Sequence, residues 1–254
     1  MINKNVEKRL NELKETSPDT YNMFKDILDT YEDELSISSH EIKNILSFLN
    51  SSCQIIESHH KEIQDFEFWT EIKQGIYALI KYMERTTLYR YSTHINPEKF
   101  CINNLLYAIP DKFDSLFPEN SCLFSFNTCK EAIYINADSE NISTAILEIL
   151  KNIYEYQPDN YNINIYMQPD NRKYARLDIA GYSTDNPFPI DYDSADDVTD
   201  MLCKPFYTTH NHHAGLGLSI AYNIFTKCNC DFKILSDKNN NVAAVITFPI
   251  ADKT

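Results

Sequence analysis

The chain has 254 residues, of which 43% are hydrophobic, and its formal net charge is -14. This composition predicts a folded protein with one large core or two small ones. No cluster of basic residues stands out in the sequence, so we do not expect nucleic acid or an anionic membrane as a partner. Seven scattered cysteines, without a CxxC pair or a signal peptide, predict reduced thiols in the cytoplasm, and no apolar run approaches the roughly 20 residues of a membrane span.

The first 94 residues carry helical patterns. Residues 1–16 predict a short charged helix, and Ser17 before Pro18 predicts the start of a long second helix. Along this helix, apolar or small residues alternate steps of four and three, which is the repeat of a helix packed in a bundle. The seam consists of Phe24, Leu28, Tyr31, Leu35, Ser38, Ile42, Ile45, Leu49, Ser52 and Ile56.

A second helix of the same kind follows a polar turn predicted at residues 57–62. Its seam consists of Trp69, Ile72, Ile76, Leu79, Met83 and Thr86. Two such helices form a hairpin with a thin core, so we expect two copies to pair as a four-helix bundle and the protein to be a homodimer. A helical domain that packs within one chain is the alternative. The expected domains are an N-terminal helix or arm at 1–20, the helical hairpin at 21–94 and a second domain at 95–254.

The second domain mixes short β-prone runs with helical patterns, which predicts an α/β layer fold. Strands are expected at Cys122–Phe126, Ala132–Ile135, Ile163–Met167, Tyr174–Ile179, Asp231–Leu235 and Val242–Phe248, and helices at Ile142–Tyr156 and Gly215–Thr226. The polar stretch Ser183–Asp200 predicts a lid or a mobile binding loop. It contains six aspartates, at 185, 191, 193, 196, 197 and 200.

His40 is the first candidate for chemistry. It lies between two seam positions, so its ring is expected beside the core but open to solvent. A neutral imidazole is a nucleophile near pH 7 and can hold a phosphoryl group on nitrogen. Glu41 is adjacent and is expected to orient or deprotonate the ring. Asn44 lies one turn later on the same face, where it can hold a water or a phosphoryl oxygen.

The string His40-Glu41-Ile42-Lys43-Asn44, on a long bundle helix, resembles the H-box of sensor histidine kinases. The resemblance implies that His40 is phosphorylated from ATP and passes phosphate to an aspartate in the receiver domain of a response regulator. It assigns Glu41 to the support of this transfer, and Asn44 to hydrolysis of the regulator's aspartyl phosphate.

Residues from about 96 to 250 resemble the ATPase domain of the same family, which is shared with gyrase and heat-shock chaperone ATPases. The helix 145–156 resembles the N-box, and it places Asn152 at the position of the magnesium ligand, with Glu148 one turn before it. Segment 178–182 resembles the first glycine box, with Asp178 at the adenine position. Segment 204–209 resembles the F-box, and 214–219 the second glycine box, with Gly215 and Gly217 close to the phosphates. The implied fold is an α/β sandwich of the histidine kinase ATPase type, and the implied cofactors are ATP and Mg²⁺.

Several positions depart from the family pattern. Ala180 and Tyr182 replace glycines of the first glycine box, and His213 replaces one of the second. Glu155 stands where a basic residue is common, and the lid is acidic. Like charge opposes a triphosphate, so we expect weak, Mg²⁺-dependent nucleotide binding.

These observations leave three functions open. The first is a cytosolic histidine kinase that phosphorylates His40 and then a response regulator. The second is a histidine phosphotransferase or phosphatase of a phosphorelay, with an ATPase-like domain that no longer binds ATP. The third, from another class, is a non-catalytic dimeric adaptor.

Overall fold

The computed structural model describes residues 4–118, 122–129, 131–156, 161–171, 173–183, 192–208, 214–238 and 241–251. The chain divides into two compact units, Met1–Thr87 and Leu88–Thr254. The sequence placed this division at residue 94. The structure places it inside a helix, because Leu88 and Tyr89 pack against the core of the second unit.

The first unit is helical. It contains α1 (Lys4–Thr16), α2 (Pro18–His59), a 3₁₀ turn (Lys61–Asp65) and α3 (Trp69–Tyr91), whose last residues lie in the second unit. The helix α2 begins at Pro18, as expected, but it runs into the turn predicted at 57–62. Glu57 lies in its last turn and accepts hydrogen bonds from Trp69 Nε1 at 2.8 Å and Lys73 Nζ at 2.5 Å. These bonds tie the two helices together at the end of the hairpin.

One stripe of α2 is buried within the single chain, and it is not the predicted seam. Leu46 and Cys53 are each 7% exposed, and Trp69 of α3 is equally buried. The seam residue Ile45, in contrast, is 60% exposed, and Ile42, Leu49 and Ile72 are exposed too. The hairpin therefore closes one apolar stripe of α2 together with the predicted seam residue Trp69, and it leaves Ile42, Ile45 and Leu49 of the predicted α2 seam exposed.

The second unit contains eight strands and four helices within its described residues. They are β1 (Glu98–Cys101), α4 (Ile102–Leu116), β2 (Leu123–Thr128), β3 (Tyr134–Ala137), α5 (Ser139–Tyr156), β4 (Tyr161–Pro169), β5 (Tyr174–Ser183), β6 (Asp196–Asp197), α6 (Thr199–Leu202), α7 (Gly217–Lys227), β7 (Asp231–Ser236) and β8 (Val242–Pro249). Six strands form one mixed sheet in the order β2-β4-β5-β8-β7-β6, in which β2 and β4 are parallel and the other neighbours antiparallel. The strands β1 and β3 form a separate antiparallel pair. The sequence had not predicted β1, α4, β6 or α6.

The two faces of the six-stranded sheet differ. On one, here called the helix face, Ile165, Leu177 and Ile246 are fully buried against α4, α5 and α7. Side chains alternate along a strand, so Arg176, Asp178 and their neighbours project from the opposite side, here called the outer face. The register supports this division, because Leu177 pairs with Ile246 and Asp178 with Val245.

The helix α5 begins at a specific cap. The buried carboxylate of Asp138 accepts hydrogen bonds from the backbone nitrogens of Asn141 at 2.9 Å and Asn96 at 2.8 Å. Burial of Asp138 raises its pKa, but these N–H groups outweigh that effect and lower the pKa below its ordinary value. The cap fixes the first turn of the helix that carries Glu148 and Asn152.

No helix among the described residues is both long and apolar enough to cross a bilayer. The seven cysteines all fall within the described ranges, and none of them forms a disulfide. Burial raises the pKa of the Cys203 thiol to about 12, with a smaller contribution from Asp200, so this thiol stays protonated near neutral pH.

Candidate functional sites

His40 is exposed on α2, as its place beside the seam predicted. Asn44 lies one turn later, and its Nδ2 is 3.2 Å from Nδ1 of His40. The long uninterrupted helix fixes this spacing, because residues four apart lie above one another. Glu41 is also exposed, on the neighbouring side of the helix. The structure thus brings His40 and Asn44 into direct contact.

This contact bears on which ring nitrogen can act. An amide N–H at Nδ1 places the proton of a neutral ring on Nε2. If the amide is turned so that its oxygen accepts from Nδ1–H, the lone pair of Nε2 is left for a phosphoryl group. The two orientations of the Asn44 amide therefore match the two neutral tautomers of His40, and only the tautomer protonated at Nδ1 is nucleophilic at Nε2.

The two N-box residues lie on α5, on the helix side of the sheet. Glu148 is 7% exposed, and Asn152 Nδ2 donates to the backbone oxygen of Glu148 at 2.7 Å. A magnesium ion would need the amide oxygen of Asn152, which this bond does not use. No group of three His, Cys, Asp or Glu side chains gathers for a metal within the described residues. Magnesium would therefore depend on phosphate oxygens as further ligands.

The second glycine box forms a tight turn before α7. Gly215 has a φ of 62°, and a Cβ atom there would lie 2.7 Å from the backbone of Phe206 and Tyr207. The nitrogen of Phe206 donates to the oxygen of Gly215 at 2.8 Å. Only glycine fits this position, because the turn packs directly on the F-box segment. The α7 helix begins two residues later, at Gly217.

Asp178 does not join these residues. It projects from the outer face of β5, whereas α5 and α7 pack on the helix face. The sheet therefore separates Asp178 from Glu148 and Asn152. The five predicted nucleotide-binding residues, Glu148, Asn152, Asp178, Gly215 and Gly217, do not form one pocket as the structure places them.

The register of β5 explains this placement, because Asp178 alternates with Leu177 and Ile179, which are buried on the helix face. In the first glycine box, Ala180 and Tyr182 replace the glycines, and β5 continues through both of them, to Ser183, as a regular strand. Residues with a Cβ favour extended backbone where glycine permits a turn. On the helix face, β5 presents Ala175, Leu177, Ile179 and Gly181, and none of these is a carboxylate.

The structure gives Asp178 two partners that the sequence had not suggested. Arg176 Nε donates to Asp178 Oδ1 at 2.7 Å, and the Tyr192 hydroxyl donates to Oδ2 at 3.1 Å. The guanidinium of Arg176 also lies 4.8 Å from the centre of the Tyr192 ring. The alternation of apolar Ala175, Leu177 and Ile179 with charged Arg176 and Asp178 was the signal that could have placed both charges on the outer face.

The remaining predicted features are only partly described. Glu155 lies on α5, with its carboxylate 3.7 Å from Lys151 Nζ. The positions of Asp185, Asp191, Thr209, His210, His212 and His213, and the side chain of Tyr182, lie outside the described residues.

Known proteins show what the chain is similar to. No protein-family model matches the chain. Over 120 residues, 47% of the chain, it is 25% identical to sporulation kinase A of Bacillus subtilis. Over 219 residues, 84% of the chain, it is 21% identical to sporulation kinase D of the same organism. The matches span only 18% and 41% of these relatives' lengths.

Solved structures share the fold. Full-length ShkA in complex with AMPPNP superposes with a TM-score of 0.66 at 14% identity, over 87% of this chain and 46% of that one. The histidine kinase ThkA, in complex with the response regulator protein TrrA, gives a TM-score of 0.56 at 19% identity, over 95% and 66% of the two chains.

The motifs, the fold and the relatives agree with one another. The chain resembles the sensor histidine kinases of two-component systems, as its motifs suggested, and the curated relatives that it matches are kinases. Its α + α/β fold, with a mixed six-stranded sheet, is confirmed.

Proposed function

We propose that the protein is a phosphotransfer component of a two-component system and that His40 carries the phosphoryl group. The contact between His40 and Asn44, on an exposed helix face, carries this proposal. The proposed partner is the receiver domain of a response regulator, which must reach the ring from solvent. That ThkA was solved with a response regulator supports a partner of this kind.

The proposed transfer follows from the chemistry of the ring. Nε2 of His40 attacks phosphorus, an N–P bond forms, and the bond from phosphorus to the donor oxygen breaks. The donor oxygen leaves with the bonding electron pair. The proton on Nδ1 stays in place, held by the Asn44 oxygen, and the reverse reaction returns the phosphoryl group to an aspartate. Asn44 is also the residue proposed to hold the water that hydrolyses aspartyl phosphate, and Glu41 to support transfer.

We propose ATP with Mg²⁺ as the first phosphoryl source, which would make the protein a histidine kinase. The curated relatives are kinases, and ShkA was solved with AMPPNP. The helix side of the sheet offers Glu148 and Asn152 for the metal, and the turn at Gly215 and Gly217 for phosphate. These residues fit the phosphate end of a nucleotide.

One observation favours the second candidate, a phosphotransferase or phosphatase that does not use ATP. Asp178, the predicted adenine-binding side chain, lies on the outer face and is paired with Arg176 and Tyr192. The described residues of β5 place no carboxylate on the helix face. The base end of a nucleotide therefore has no matching group there, and the phosphoryl group would come only from a regulator.

We also propose that two copies pair through the helical hairpin. The exposed seam of α2 and α3, which includes Ile45 and Ile72, supports this proposal because a second hairpin can bury it.

A labelling experiment separates the candidates. The protein is incubated with γ-labelled ATP and Mg²⁺, and separately with receiver domains carrying labelled aspartyl phosphate. Label on His40 from both sources supports a kinase, and label from receivers alone supports the phosphotransferase. The matched variants are His40→Ala and His59→Ala, since both histidines are exposed on α2. Equal labelling of the two variants would refute His40 as the phosphoryl carrier. No label from either source would leave an adaptor.

A further inference from the structure

A charged cluster lies on the outer face of β5. The carboxylate of Asp178 is bound at both oxygens, by Arg176 at 2.7 Å and by the Tyr192 hydroxyl at 3.1 Å. Asp178 is 9% exposed. Burial raises the pKa of Tyr192 to about 12, with a smaller contribution from the Asp178 charge, so the hydroxyl remains a donor throughout the neutral range. The contacts of Asp178 with Tyr192 thus join the strand β5 to the described part of the predicted lid that begins at Tyr192.

A second anchor lies seven residues further on. Thr199 accepts a hydrogen bond at Oγ1 from the backbone nitrogen of Ile234 in β7, at 2.8 Å. Its own hydroxyl donates to Asp197 Oδ1 at 2.5 Å, and β6 pairs with β7 through Asp196 and Ser236. Residues 192–202, here called the strap, are therefore fixed to β5 at one end and to β7 at the other.

The strand β8 lies between these two anchors in the sheet. Two of its outer-face residues, Ala243 and Val245, are 1% and 9% exposed. They alternate with Ala244 and Ile246, which belong to the helix-face core. The outer face is thus covered beside the point where Tyr192 reaches Asp178, which itself pairs with Val245 across the sheet.

We propose that Arg176, Asp178 and Tyr192 form a latch that holds the acidic strap on the outer face of the sheet. The strap carries Asp193, Asp196, Asp197 and Asp200. With the latch closed, its first residues stay on the side away from α5 and from the Gly215 turn. Opening frees only this end, because Thr199 still anchors the other to β7.

The latch has a consequence that rests on the proposed nucleotide function. Carboxylates within a Debye length of a triphosphate, about 8 Å at physiological salt, weaken its binding. A closed latch keeps the first part of the strap from the phosphate side of the domain. Opening it is therefore expected to lower the affinity for Mg²⁺-ATP several-fold at low salt, and less at high salt.

Limited chymotrypsin digestion tests the latch without any nucleotide. Chymotrypsin cuts after both Tyr and Phe, so Tyr192→Phe keeps the cleavage site and removes only the hydroxyl. We expect cleavage after position 192, identified by mass spectrometry, to become roughly tenfold faster in Tyr192→Phe and in Asp178→Asn, the factor that about 1.4 kcal/mol corresponds to. Tyr174→Phe is the matched control, since Tyr174 precedes Arg176 by two residues on the same face. It should leave that rate unchanged.

Two further results complete the test. In wild-type protein labelled at tyrosine Cζ, the NMR titration of Tyr192 should show the raised pKa. Asp178→Asn should lower this pKa, because the Asp178 charge is removed and the opened latch leaves the Tyr192 ring less buried. Unchanged cleavage in both variants, or an ordinary pKa in wild type, would overturn the latch. Faster cleavage with unchanged ATP affinity would overturn its effect on nucleotide. A wild-type protein that binds no ATP refutes the kinase proposal, while the cleavage assay still decides the latch.

Discussion

The two units of the protein bury their apolar residues to very different degrees. In the α/β unit, Phe113, Phe225 and Phe248 are fully buried among helices and sheet. Among the described residues of the helical unit, the buried apolar ones are Leu46, Cys53 and Trp69, whereas many more apolar residues of α2 and α3 are exposed. The α/β unit therefore completes its core within one chain, and the helical unit does not. This difference is what the proposed pairing of two hairpins predicts, because a second copy can bury the exposed apolar residues of the helical unit.

The strongest way to break the α/β unit is a charge in its core. Ile246 of β8 is fully buried on the helix face. Ile246→Asp would place an unpaired carboxylate there, at a cost of several kcal/mol, and should unfold this unit. Circular dichroism during urea denaturation measures the loss. A variant as stable as wild type would contradict the assigned core.

A charge introduced on the exposed seam of the helical unit should disrupt the proposed dimer and leave the fold of the chain intact. Ile45 is 60% exposed on the predicted seam. Ile45→Asp should convert a dimer into a chain of 29.6 kDa without unfolding it, because the new charge faces water in the monomer. Light scattering after size exclusion gives the mass. Ile37→Asp is the control, since Ile37 is 62% exposed but lies off the seam. A wild-type protein that is monomeric would contradict the proposed dimer.

A smaller effect is expected one residue further along α2. Leu46 is 7% exposed and lies on the stripe that is buried within the chain. Leu46→Ala should cost about 2–4 kcal/mol of stability, through lost burial and a residual cavity. Ile45→Ala should cost much less in a dilute sample where copies are apart. Thermal unfolding of the two variants compares them, and equal losses would mean that the buried stripe is misassigned.

The smallest expected effect concerns the cap of α5. Asp138→Ala removes the acceptor for two backbone N–H groups and should cost about 1 kcal/mol. Because the folded-state pKa of Asp138 is lowered, its contribution is present above the unfolded pKa of about 3.9 and is lost as pH falls through the folded value. The difference between variant and wild type should therefore shrink below pH 4. A difference that does not change with pH would argue against the cap.

The elements of the fold were largely predictable, but their relations in space were only partly so. Strand runs such as Ile163–Met167 fell inside observed strands, because alternating β-branched residues mark a buried strand wherever it pairs. The short β6 and α6 escaped prediction, because they depend on Thr199 and its bond to β7 rather than on local propensity. The seam showed that α2 is amphipathic, but it did not show which part faces its own chain.

In the candidate sites, too, the sequence predicted contacts within one helix but not contacts between separate elements. His40 and Asn44 lie on one helix, so their spacing followed directly from the sequence. Asp178 and Asn152 lie on different elements, and motif order alone did not reveal that a sheet stands between them. The Arg176, Asp178 and Tyr192 contacts join a strand to a distant segment, and no local pattern encodes such a contact.

The most direct test of the central proposal is the site of phosphorylation. The protein is mixed with a receiver domain carrying labelled aspartyl phosphate, and its peptides are mapped at alkaline pH, where phosphohistidine is stable. We predict label on the peptide that contains His40, in wild type and in His59→Ala, and none in a folded His40→Ala variant. Label that persists in His40→Ala, or that maps to another residue, would contradict the assignment of His40 as the phosphoryl carrier.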